Sequence, residues 1–91
     1  MKTKKCALAW LRQEDWPRWK ALDPGMTTYP HWLSKVTKAT ADAERQGIAV
    51  VKIAVDIDDF VSWCTASGRP IDSGSRAMFA GMLLMRRSMA H

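Results

Sequence analysis

Apolar positions along this chain alternate between continuous runs and helical stripes, and the changes of period predict its elements. Residues 4 to 11, KKCALAWL, form a short apolar segment ending at polar RQED. Its length and position predict a strand, although Ala and Leu are weak strand formers. In EDWPRWKALD, Pro17 is tolerated only in a first helical turn, so a helix begins near Asp15 or Trp16. Trp16, Trp19 and Leu22 then recur on one face, and Asp23-Pro24-Gly25 supplies turn chemistry.

The next helix carries the clearest period. Pro30 again suits a first turn, and Trp32, Val36, Ala39 and Ala43 follow at i, i+4, i+7 and i+11. Lys35, Lys38, Asp42 and Arg45 occupy the other faces, and Gly47 stands where a left-handed cap belongs, which predicts a helix from about 30 to 46. IAVVKIAV, residues 48 to 55, is β-branched and interrupted only by Lys52, as in a largely buried strand. DIDDFVSWCTASG then opens on an aspartate three residues before another acid, with apolar residues at 57, 60, 61 and 64, the signature of a helix N-terminus. Gly68 ends that helix, GRPID connects, and Asp72 or Ser73 caps the last one. The last helix contains AMFAGMLLM, nine apolar residues in succession, followed by Arg86 and Arg87 in the turn where cations suit the helix dipole.

The predicted order is β-α-α-β-α-α: an α+β domain spanning residues 1–91, with a two-stranded sheet covered by about four helices, mainly on one face. Ninety-one residues give one thin core, which favours help from a second subunit. A two-stranded sheet is marginal alone, and extension across a dimer removes the difficulty. The last helix is apolar nearly all round, so Met78, Phe79, Met82, Leu83 and Met85 are expected at a subunit contact.

Five tryptophans, Trp10, Trp16, Trp19, Trp32 and Trp63, are many for this length. They enlarge a small core, and each needs a partner for its indole N–H; the competing role is an aromatic binding surface. The net charge of +5 favours acidic partners, but the cations are scattered, with local groups only at Lys2, Lys4 and Lys5 and at Arg86 and Arg87. Arg69, Arg76, Arg86 and Arg87 form the candidate anion or nucleic-acid face. Two cysteines, Cys6 and Cys64, set no disulfide framework, CALAWL is too short for a secretory signal, and no run approaches the ~20 residues of a membrane span. A reducing cytoplasm is the expected compartment.

The sharpest chemical lead is VVKIAVDIDDF. An apolar strand entering D-x-D resembles the nucleophile motif of haloacid-dehalogenase-like phosphotransferases, in which one carboxylate attacks a phosphoryl group and both face magnesium. The resemblance covers about eleven residues. The family continues with a small residue and Thr or Val where this chain has Asp59-Phe60, and needs a later lysine and acidic pair. After Asp59 the chain has no lysine and a single acid, Asp72. Helix capping accounts for the cluster instead: Asp56 caps, and Asp58 and Asp59 favour the positive end of the helix.

No C-x-x-C or H-x-x-x-H spacing suggests a metal, and the isolated glycines form no phosphate loop, so no metal or cofactor is expected. A Cys–His nucleophile would need Cys6 or Cys64 to meet His31 in space, and a thiol in a helix interior beside Trp63 is inert. Nearly the whole chain, through D-W-P-R-W, Trp32, D-x-D-x-F-x-x-W-C at 56 to 64 and G-R-P-I-D…R-A-M-F-A, resembles a group of small bacterial proteins of unknown function. That resemblance implies a bacterial, cytoplasmic origin and no activity, cofactor or catalytic residue. The reading that follows is a non-enzymatic protein-interaction module, homodimeric. Its rivals are a nucleic-acid-associated regulator using the basic termini and last helix, and a small enzyme using the Asp56, Asp58 and Asp59 cluster.

Overall fold

Two short apolar segments separated by a long helical stretch give the chain the connection that a parallel pairing requires. The computed structural model, which describes residues 4–89, has this arrangement. Strand β1 (Lys4–Trp10) is followed by a short 3-10 turn (Gln13–Asp15), helices α1 (Trp16–Leu22) and α2 (Tyr29–Arg45), strand β2 (Ile48–Ala54), and helices α3 (Ile57–Ser67) and α4 (Ser73–Met89). The strands form a two-stranded parallel sheet in register from Lys4 opposite Ile48 to Trp10 opposite Ala54. Residues 11–47 make the crossover that parallel pairing requires. The predicted order and the small α+β class are those of the structure.

The expectation that helices cover mainly one face is corrected. Side chains alternate along a strand, and on one face Ala39, Thr40 and Ala43 of α2 line a cleft together with Cys6, Leu8 and Val50. On the opposite face, Leu84 and Arg87 of α4 lie beside Val51. A parallel sheet needs both faces covered, and the composition of β2, apolar apart from Lys52, agrees with that.

The termini of the helices follow from local chemistry. The Thr28 hydroxyl accepts from the His31 N–H at 3.4 Å, with Pro30 in the first turn of α2. Gly68, at φ 66°, closes α3 in the left-handed conformation, and the Arg69 N–H donates to the Cys64 carbonyl at 2.9 Å. Asp72 caps α4 by accepting from the Ser75 N–H at 2.8 Å.

The core lies where α1, α3 and α4 meet beyond the ends of the strands: Leu11, Trp16, Trp19, Val55, Ile57, Phe60, Cys64 and Phe79 are buried together. Three of the five tryptophans extend it in opposite directions. Trp10, Trp32 and Trp16 form a chain of rings 5.3 to 5.4 Å apart that joins β1, α2 and α1. Trp63 packs against Phe79 and Phe60 at 5.4 and 6.3 Å. The Trp16 indole donates to the Thr27 carbonyl at 3.1 Å, whereas the buried Trp19 Nε1 has no partner among the described residues. The expectation that every indole finds an acceptor fails there. Trp19 is instead faced by the Arg76 guanidinium, 5.6 Å from the ring.

Candidate interaction surfaces

Two of the three aspartates after β2 have structural partners at the start of α3. Asp56 accepts at Oδ1 from the Asp59 N–H, 2.9 Å away, and so caps the helix. Asp58 receives Arg18 Nη2 at 2.8 Å, which ties the first turn of α3 to α1. The same contact raises the Arg18 pKa, through the hydrogen bond first and the charge of Asp58 second. Asp58 also borders a cleft of about 430 Å³ with Arg18, Ala21, Leu22, Ile57, Val61 and Ser62. Neither His31 nor Cys64 is among its lining residues. Among the described residues no three His, Cys, Asp or Glu side chains are grouped to hold a metal ion.

Cys64 is buried and its thiol contacts the Pro70 carbonyl at 3.8 Å. Desolvation pushes its pKa up, and Asp72 adds to the rise, so the reactive thiolate is disfavoured. Cys6 is exposed on β1.

The four arginines of the expected anion face have different surroundings. Arg76 is buried and donates to Asp23 at 3.2 Å. Arg69 sits over the Trp63 ring at 5.7 Å. Arg86 and Arg87 are exposed further along α4, ten and eleven residues beyond Arg76, about 15 Å at the helical rise. Arg87 there meets an unexpected partner: it borders a cleft of about 350 Å³ together with Lys5, Val51, Leu84 and Ser88. The fold thus brings the basic start of β1 to the basic end of α4, a juxtaposition that sequence spacing does not reveal. Lys2 and His91 lie outside the described residues.

The residues expected at an interface also divide. Phe79 is buried in the chain's own core, and Met82 and Leu83 are half-buried against it. Met78 and Met85 are exposed, Met85 at 65%, and Met89 continues their stripe at 78% exposure. Met78, Met82, Met85 and Met89 recur at i, i+4, i+7 and i+11, one line along α4.

The sheet itself presents the other apolar surface. Among the described residues β1 and β2 pair only with each other, so each has an outer edge with no strand on it. Ile48, Ala49, Val50 and Val51 are all only half-buried, although their composition is that of a strand enclosed on both faces. Lys52, the one charge in β2, lies with its ammonium 4.4 Å from the Trp10 ring.

No protein-family model matches the chain, and comparisons with curated proteins and with solved structures return no match.

Proposed function

We propose that the chain is a non-enzymatic protein-interaction module that works as a homodimer. The observation that carries this reading is the two-stranded parallel sheet with, among the described residues, an unpaired outer edge on each strand, whose apolar β2 is left half-buried. Such a sheet is marginal by itself, because few ladder hydrogen bonds offset the ordering of a long crossover. A second copy supplies the missing burial. The methionine line of α4, with Met78, Met82 and Met85, adds an adaptable apolar surface for protein contact. Its chemically strongest side chains serve the fold: Asp56 caps, Asp58 pairs with Arg18, and Cys64 is enclosed. Among the described residues no helix is long and apolar enough to cross a membrane. An exposed free Cys6 is in keeping with a reducing bacterial cytoplasm. Sedimentation equilibrium at micromolar concentration tests the reading: a dimer is expected, and a strict monomer overturns it.

The meeting of Lys5 and Arg87 favours one second reading, weak binding of nucleic acid through phosphate contacts. It predicts an affinity that falls steeply with salt and is indifferent to base sequence. Sequence-selective binding at physiological salt contradicts so simple a contact.

A further inference from the structure

The phase of the β1–β2 ladder determines which backbone groups of β2 are left over. The Val55 N–H donates to the Trp10 carbonyl at 3.1 Å, and Trp10 stands opposite Ala54. In a parallel ladder the bonding groups of successive residues point to opposite sides of the strand. Val51, Ile53 and Val55 therefore address β1, whereas Ile48, Val50, Lys52 and Ala54 turn both N–H and C=O outward. No strand among the described residues receives them. On β1 the outward set is Lys5, Ala7 and Ala9.

The two edges differ in what they offer. β1 opens with Lys4 and Lys5, and exposed lysine is a common guard against edge pairing. β2 reads Ile-Ala-Val-Val-Lys-Ile-Ala; its one lysine, Lys52, lies against the Trp10 ring, and its other residues have the composition of an interior strand. From this we infer that the outer edge of β2 pairs antiparallel with the same edge of a second copy, giving a four-stranded sheet in the order β1-β2-β2-β1. The inference rests on the homodimer reading and names its interface.

The register follows from the pattern of outward groups. A two-fold axis at Val51 places Ile48 opposite Ala54 of the second copy and Val50 opposite its Lys52, and all four outward residues of each strand then exchange hydrogen bonds. This alignment uses the full strand, Ile48–Ala54. Slipping two residues one way sets Lys52 against Lys52, a like-charge pair that disfavours the register. Slipping two the other way leaves Lys52 facing Ile48 but strands Ala54 beyond the end of its partner. Because the axis is perpendicular to the sheet, the two α2 helices share one face and the two α4 helices the other. Each half-buried valine and isoleucine of β2 gains neighbours on its open side.

Proline substitution separates the two edges, since proline removes one N–H and is accepted where that N–H faces outward. Val50→Pro should give a folded monomer, by circular dichroism and sedimentation, at concentrations where the unmodified chain is a dimer. Ala7→Pro, the matching change on β1, should leave the dimer intact. Amide hydrogen exchange on the unmodified protein gives a reading independent of any variant: the Val50 and Lys52 amides should be protected in the dimer and lose protection on dilution, while Ala7 exchanges fast throughout. A strict monomer overturns the homodimer reading and this interface together. A dimer in which the Val50 and Lys52 amides exchange fast overturns the edge alone, as does one that persists in Val50→Pro. If such a dimer dissociates on Met85→Arg, the methionine line of α4 is the contact instead.

Discussion

Arg76 donates from Nη1 to Asp23 Oδ2 across 3.2 Å and so bonds the first turn of α4 to the turn that ends α1. The arginine is buried, and its guanidinium also faces the Trp19 ring. A charge withdrawn from water needs its partner, because the lost hydration is recovered only through the pair. Asp23→Ala leaves the guanidinium enclosed and unpaired and should cost about 3 kcal/mol, measured by urea denaturation. Asp23→Asn, which keeps an acceptor oxygen, should cost less. An effect of Asp23→Ala below experimental error would show that the arginine escapes to solvent.

The cap on α3 predicts a smaller loss. Asp56→Ala removes the acceptor for the Asp59 N–H and should lower stability by about 1 kcal/mol. The Asp58 carboxylate is exposed in its pair with Arg18, so Asp58→Ala should be hardly measurable by the same denaturation curves. Calorimetric titration with magnesium should detect no stoichiometric site. Tight binding abolished by Asp58→Asn would contradict the structural role of these aspartates.

Asp72 gives the chain an acid-sensitive element. Hydrogen bonding by the Ser75 N–H is the main cause that lowers its pKa, opposed by desolvation and assisted by Arg76 and Arg69. A depressed folded pKa contributes stability above the unfolded value, and this is lost as pH falls through the folded one. Stability should therefore decline from about pH 5 downward, with Asp72 contributing to the slope. In Asp72→Asn, which can still cap, denaturation midpoints should fall less steeply over that range.

The two thiols should differ in reactivity. Cys6 is exposed, whereas Cys64 is buried with a raised pKa. Brief maleimide treatment of the folded protein near neutral pH should label Cys6, located by mass spectrometry of peptides, and spare Cys64 until denaturant is added. Fast labelling of both would mean that α3 opens readily.

The sequence by itself determined the two strands and four helices and, where a cap or stop residue stands, their ends. The stripe of Trp32, Val36, Ala39 and Ala43 makes α2 at Tyr29–Arg45, and Asp56, Gly68 and Asp72 punctuate the last two helices as caps and stop. These features are local: an aspartate can bond an N–H three residues on in any context, and a glycine alone reaches φ near 66° without strain. The role of Asp56 was legible for the same reason.

Tertiary structure decided what lies far apart along the chain. Which face of the sheet α2 and α4 each take depends on the path of the crossover, so their opposite placement could not be read from the period of either helix. Arg76 looked like a surface cation and became a buried one because Asp23, 53 residues away, lies beside it. Phe79 and Met85 share one apolar run, yet one is in the core and the other in solvent. A nine-residue apolar stretch covers every side of a helix, and only the packing of its neighbours selects the buried side.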